Sequence, residues 1–238
     1  MRRPSSASLF GVALLVFASV TGFADEGKRA TDRDRMVTTQ IEARGIEDPR
    51  VLRAMRTVPR HAFVPEAQQA NAYQDRPLPI GYRQTISQPY IVALMTALAD
   101  VGPGSRVLEV GTGSGYQAAV LAAVGARVYS IEIVKPLARR AKRILAELGY
   151  GPRITVRAGD GYAGWPSEAP FDAIVVTAAP PEIPAPLREQ LKVGGRLVIP
   201  VGERAQRLEV VTRAAKGFRT RTVIPVRFVP MTGKAQEL

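Results

Sequence analysis

The run Glu109-Val110-Gly111-Thr112-Gly113-Ser114-Gly115 sets three glycines at alternate positions between an apolar segment and an Ala-rich one. Between a strand and a helix, such a turn brings bare backbone and a helix N-terminus to the carboxyl edge of a parallel sheet, where ligands bind. A dinucleotide fingerprint would have its third glycine at position 116, which is Tyr116 here. Glu132, 21 residues after Gly111, closes the next apolar segment. An acidic side chain there can accept hydrogen bonds from both ribose hydroxyls of a nucleoside. Glu109 adds negative charge that would repel a pyrophosphate but suits the sulfonium and amino groups of S-adenosylmethionine. Asp160, in Gly159-Asp160-Gly161, follows a third apolar segment and can accept from an adenine amino group. Taken singly, the glycine loop and Asp160 could be ordinary turns. In register at three successive strand ends, Glu109, Glu132 and Asp160-Gly161 point to S-adenosylmethionine as cofactor.

The elements that must position these groups are legible as an alternation. After Gly102-Pro103-Gly104, strands are expected at 106–110, 127–133, 154–158, 171–177 and 196–201, the last following a Gly194-Gly195 turn. Helices are expected at 116–124 and 136–148, with a third ending at 187–191. This predicts an α/β fold with a doubly wound, mostly parallel sheet. The segments 208–212 and 222–228 complete seven strands as an antiparallel hairpin at the sheet edge. Upstream, Asp32 to Pro65 reads as an N-terminal helical layer, and Tyr73 to Pro89 as an irregular segment leading into a helix at 90–98. One domain is expected over 25–238, with 32–100 carrying the helical layer and loop and 101–238 the sheet.

The chain has 238 residues, 46% of them hydrophobic, which suffices for a single core. The absence of cysteine excludes disulfides, cysteine-ligated zinc and thiolate nucleophiles, and no metal is expected. A net charge of +12 admits an anionic partner, but the basic residues are dispersed, no aromatic-interleaved basic tract suggests a nucleic-acid reader, and the cluster at Arg139 to Arg143 reads as the wet face of a helix. Arg2 and Arg3, the apolar run Leu9 to Val20, and Gly22 and Ala24 together form a signal-peptide pattern over 1–24, too short for a bilayer span. The rival reading has translation starting at Met36. The single histidine, His61, reads as packed or surface, and Trp165 as a loop anchor.

Several segments are together more specific than the glycine loop: Val58-Pro59-Arg60, Leu78-Pro79-Ile80-Gly81, Gln84-Thr85-Ile86-Ser87-Gln88-Pro89-Tyr90, Gly159-Asp160-Gly161, Ala178-Ala179-Pro180-Pro181 and Val226-Arg227-Phe228-Val229-Pro230. On these the chain, over about residues 33 to 233, resembles the protein-L-isoaspartate O-methyltransferase family. The resemblance implies a seven-stranded methyltransferase sheet and methyl transfer from S-adenosylmethionine to the α-carboxylate of L-isoaspartyl residues, with D-aspartyl residues as a further substrate. The methyl ester would then collapse to a succinimide and begin repair. It implies Ser87 as the active-site residue on a loop over the cofactor. The cofactor would be held by Glu109, Gly111, Thr112, Gly113, Ser114, Gly115, Glu132, Asp160 and Gly161. Polypeptide substrate would contact Thr85, Ile86, Val229 and Pro230. Ser87 lacks a His-Asp pair to make it a nucleophile, so its hydroxyl is read as a donor that orients the carboxylate or orders the loop; it could instead cap the helix opening at Pro89. The family resemblance implies a cytoplasmic monomer without stable membrane association, whereas a working leader implies export. The competing functions are methylation of another acceptor and a non-catalytic cofactor-binding module. A nicotinamide oxidoreductase ranks last.

Overall fold

A computed structural model of the protein describes residues 27–237, so the leader expected over 1–24 lies outside the described residues. Helix α1, at 27–36, runs into a π-turn at Val37–Ile41, and α2 follows at Pro49–Thr57. The Asp48 carboxylate starts α2 by accepting from the Arg50 backbone N–H at 2.8 Å, with Pro49 in the first turn, where its missing N–H costs nothing. Val51, Ala54 and Met55 recur at helical spacing and are buried. Helix α3 is Pro89–Ala99.

The sheet follows the expected alternation: β3 Arg106–Val110, α4 Tyr116–Ala123, β4 Arg127–Glu132, α5 Lys135–Glu147, β5 Ile154–Ala158, β6 Phe171–Val176, α6 Ala185–Glu189 and β7 Leu191–Val201. Two further strands, β8 Gln206–Arg213 and β9 Phe218–Val226, complete the order β5-β4-β3-β6-β7-β8-β9. Neighbours among β5, β4, β3, β6 and β7 pair in parallel, while β8 pairs antiparallel with β7 and β9 antiparallel with β8. Successive residues face opposite layers: Val107, Ala173, Val175 and Val198 join the core shared with α2, α3 and α4, while Leu108, Ile174, Val176 and Leu197 join the core on the other face. Trp165 does anchor that second core, edge-on to Tyr129 at 5.7 Å.

Two local expectations fail. Gly194-Gly195 is not a turn ahead of a strand but an irregularity within β7, which begins at Leu191. Gly194 takes φ +84, and a side chain at Gly195 would press on the Asp172 and Lys192 carbonyls at 2.9 Å, so the glycines let one strand bulge and continue. The segment 73–89 is also not wholly irregular. Leu78–Gly81 (β1) and Gln84–Ile86 (β2) form an antiparallel hairpin. Its two-residue turn holds Tyr82 at φ +52 and Arg83 at φ +58, the left-handed pair a primed turn requires. Neither residue is of the Asn or Gly type that announces such a turn, so the sequence concealed it.

Arg60 is the largest fully buried side chain. Its Nε donates to the Ala72 carbonyl at 2.7 Å and its guanidinium lies 4.9 Å from the Tyr116 ring centroid. Desolvation lowers its pKa to about 10, so it stays charged at neutral pH.

Candidate functional site

Strand order reverses around β3, which pairs with β4 on one side and β6 on the other, and this opens a crevice at the carboxyl ends of the strands. The glycine loop caps that edge. Gly111 N–H donates to the Ile131 carbonyl at 2.8 Å, and Gly111, Gly113 and Gly115 all have positive φ. The loop thus turns sharply and feeds α4. Glu132 is buried, and both its carboxylate oxygens accept from backbone: Oε2 from Gly113 N–H at 2.7 Å and Oε1 from Val134 N–H at 2.8 Å. One side chain therefore sets the glycine loop and the β4–α5 turn relative to each other, with lone pairs left for a ligand.

A cleft open to solvent lies over this loop, at the sheet edge where small-molecule sites form in α/β folds. Gly111, Thr112, Gly113, Ser114, Glu132 and Gly161 line it from the sheet edge. Thr85, Ile86 and Ser87 line it from the β1–β2 hairpin, and Val229 and Pro230 from a C-terminal strap. The strap is tied down by Ala179, whose N–H donates to the Val229 carbonyl at 2.9 Å and whose carbonyl accepts from Met231 N–H at 2.8 Å. The hairpin is held by Arg140, which donates to the Ile80 carbonyl at 3.2 Å, and by Gln88, which donates to the Asp75 carboxylate at 2.8 Å. Gln88, not Ser87, is the N-cap of α3, and it makes no side-chain capping bond. The reading of Ser87 as a helix cap is therefore set aside.

Three of the singled-out residues do not line the cleft. Gly115 sits at the start of α4, where a side chain would meet Leu145 and Ala141 of α5 at 3.3 to 3.4 Å, so it allows close packing behind the loop. Asp160 is engaged by backbone: Oδ1 accepts from Tyr162 N–H at 2.9 Å and Oδ2 from Lys234 N–H at 2.8 Å. It thereby joins Gly161 to the C-terminal turn Gly233–Gln236. Glu109 is fully buried beneath the loop, where it accepts from the Ser130 hydroxyl, which in turn lies 2.5 Å from the Thr112 hydroxyl. Its Oε1 has no partner, and burial pushes its pKa up to about 8, with the Glu132 charge adding to the effect. Burial thus favours a neutral acid at pH 7, in place of the anion suggested by sequence alone.

Sequence reasoning missed Thr177 and Gln117, which also line the cleft. The Thr177 hydroxyl donates to the Gly111 carbonyl at 2.5 Å, bracing the loop from β6. Gln117 is held by the Thr96 hydroxyl at 2.8 Å. Neither belongs to a local motif; a polar residue directly after β6, beside the glycine loop in the switch-point geometry, was the one available signal. Gly111 has no room for a side chain: a methyl there would run into the Thr177 hydroxyl, and φ is +97. Gly111→Ala is expected to lower stability by about 2 kcal/mol, visible as a shifted urea midpoint with unchanged slope. An unshifted midpoint would show that the loop relaxes freely.

The groups present fit a nucleoside cofactor. A double acceptor faces the cleft at the end of β4, Gly113 presents bare backbone, and a buried carboxyl oxygen beneath the loop is unsatisfied. The doubly wound sheet and this site define a methyltransferase dependent on S-adenosylmethionine. Comparison with known proteins narrows the class. The sequence profile of the protein-L-isoaspartate(D-aspartate) O-methyltransferase family matches residues 31–236. A protein-L-isoaspartate O-methyltransferase of Gloeobacter violaceus is 59% identical over 199 residues, covering 83% of this chain and 97% of that one. One of Opitutus terrae is 56% identical over 223 residues, covering 93% and 95%. Among solved structures, a protein-L-isoaspartate O-methyltransferase superposes with a TM-score of 0.78 at 29% identity, covering 85% of this chain and 67% of the other. A Plasmodium falciparum protein assigned to the same activity, in complex with S-adenosyl-L-homocysteine, gives 0.74 at 27% identity, covering 84% and 98%. The chain belongs to the protein-L-isoaspartate(D-aspartate) O-methyltransferase family and methylates isoaspartyl residues in protein repair.

Proposed function

We propose that methyl transfer takes place in the cleft between the glycine loop and the hairpin, with Ser87 orienting the isoaspartyl α-carboxylate. The supporting observation is that Thr85, Ile86 and Ser87 on one wall and Val229 and Pro230 on the other line the same cleft as Gly111 to Ser114. Bound S-adenosylmethionine supplies an electrophilic methyl group on a sulfonium. In this reading Glu132 would accept from the ribose hydroxyls and the glycine loop would seat the methionyl part, with Gly161 lining the cleft and Asp160 and Glu109 bracing it from behind. A carboxylate with a pKa of about 4 is already ionised at neutral pH, so its oxygen would need no general base to take the methyl group as the sulfonium–methyl bond breaks and a neutral thioether leaves. The protein's part is to align oxygen and methyl group, and to exclude water under the hairpin. The Ser87 hydroxyl donates to the non-attacking oxygen, and an extended polypeptide passes between the hairpin and the strap.

The test is transfer of labelled methyl to a short isoaspartyl peptide, with the same peptide carrying normal aspartate as control. Base-labile ester on the isoaspartyl peptide alone is expected. Ser87→Ala should lower kcat by about tenfold, the scale of one hydrogen bond to a charged group, with cofactor affinity unchanged. Wild-type kcat in the variant would remove Ser87 from the reaction. Cofactor binding without methylation of either peptide would move the search to another acceptor. On family resemblance we propose that the enzyme is a cytoplasmic monomer, with export the alternative if residues 1–24 act as a signal peptide; sequencing the N-terminus of protein isolated from cells distinguishes the two locations. Among the described residues, no helix is long and apolar enough to cross a membrane.

A further inference from the structure

Positive charge collects on one margin of the molecule. Between positions 202 and 228 stand seven basic and two acidic residues, a net charge of +5. Strand β9 is the outer edge of the sheet, with Arg219 and Arg221 exposed along it, and Lys216 exposed in the turn before it. At its other end β9 runs into the strap at Val229–Pro230. There Arg227 and Arg204 line a second cleft, which shares Pro230 and Met231 with the cofactor cleft. None of these five cations makes an ion pair with another described residue. By contrast Arg207 faces Glu209 at 3.7 Å and Arg213 donates to the Glu189 and Leu191 carbonyls. The result is a cationic edge with Arg204 and Arg227 at the mouth of the reaction cleft and Arg221, Arg219 and Lys216 beginning about 20 Å further along, at about 3.3 Å per residue.

We propose that this stripe is a docking surface for acidic polypeptide, engaging the chain that flanks the isoaspartyl residue. The proposal rests on the reading above, in which substrate passes beside Val229 and Pro230. The chemistry of the substrate agrees with the sign of the charge. Deamidation of asparagine replaces a neutral amide with a carboxylate, so damaged segments gain negative charge at the point of damage. An unpaired cationic rim that leads into the cleft raises the local concentration of such chains and speeds their association. A nucleic acid fits less well. Phe218 is the one aromatic residue in β9, only 39% exposed and covered by Arg188 at 5.5 Å, so the stripe lacks interleaved rings for base stacking. Arginines on an edge strand also deter edge-to-edge pairing, but a charge of either sign does that. Charge reversal therefore separates recognition from edge protection.

The test compares wild type with Arg219→Glu/Arg221→Glu on two isoaspartyl peptides that differ only in a flank of glutamates or of serines. For wild type at low salt, kcat/KM is expected to be about tenfold higher on the acidic peptide, with the advantage vanishing near about 0.5 M salt, where screening shortens to below about 5 Å. In the double variant the advantage should be lost or inverted while the serine peptide is turned over as by wild type. Retained acidic preference in the variant overturns the proposal, and so does an equal loss on both peptides. So too does an absence of peptide preference in a wild type that binds single-stranded DNA through the same arginines. If wild type methylates neither peptide, the reading of the reaction has failed; fluorescence anisotropy of the labelled acidic peptide, bound by wild type and released by the double variant, still decides the surface.

Discussion

Glu132→Ala should weaken binding of S-adenosylmethionine about a hundredfold while the protein remains folded. The side chain is 5% exposed and accepts from two backbone N–H groups, Gly113 at 2.7 Å and Val134 at 2.8 Å, before any ligand arrives. Its loss removes the acceptor proposed for the ribose and also the strut that sets the glycine loop against the β4–α5 turn. Hydrogen bonds to a charged group contribute about 1.5 to 3 kcal/mol each, so two lost at the ligand amount to at least about two powers of ten in affinity. The orphaned N–H groups lie at an open cleft where water can reach them, so the cost falls on binding more than on folding. Glu132→Gln keeps one acceptor oxygen and should lose about tenfold. Titration calorimetry of both variants checks this, and an alanine variant that binds within about twofold of wild type would remove Glu132 from the cofactor site.

The second large effect is on stability and depends on pH. Glu109 is fully buried, its Oε1 is unsatisfied, and burial raises its pKa from 4.5 to about 8. A carboxyl whose folded pKa is raised binds its proton more tightly in the folded state. Its favourable contribution is therefore fully present below the unfolded pKa near 4.5 and is lost as pH climbs to about 8. Wild type should lose stability over that interval, on the order of a few kcal/mol from this group. Glu109→Gln keeps the shape and an acceptor for the Ser130 hydroxyl without an ionisable proton. Its melting temperature should exceed that of wild type by about 5 °C or more at pH 8, at about 2 to 4 °C per kcal/mol for a chain of this size, and the gap should narrow toward pH 5. Thermal melts of the two proteins at three pH values suffice; parallel curves would mean that Glu109 titrates as an ordinary carboxyl and is solvated.

The features that were legible from sequence are contiguous ones. Strand β3, the glycine turn, α4, β4 and its terminal Glu132 fall within about thirty residues, and their pattern follows from local rules: buried apolar strands, glycine where φ must be positive, an acidic residue at a strand end. Thr-Ile-Ser at 85–87 and Val-Pro at 229–230 stood out by family resemblance, yet nothing local indicated that they face each other. They are more than 140 positions apart, and it is the Ala179 bridge to the strap that brings them to one cleft. The β1–β2 hairpin stayed hidden because Tyr82 and Arg83 occupy a turn whose usual residues are absent, and Gly194-Gly195 looked like a stop because glycine marks turns and bulges alike. Thr177 and Gln117 became site residues only when β6 and α4 were packed beside the loop. By itself the sequence determined the alternation, the cofactor turn and the acidic residues at the strand ends, since these depend on periodicity and backbone sterics. Tertiary structure alone decided which carboxyls line the cleft and which are buried beneath it. Solvation, unlike periodicity, is set by everything packed around a group, and it leaves Glu132 at the cleft and Glu109 below it.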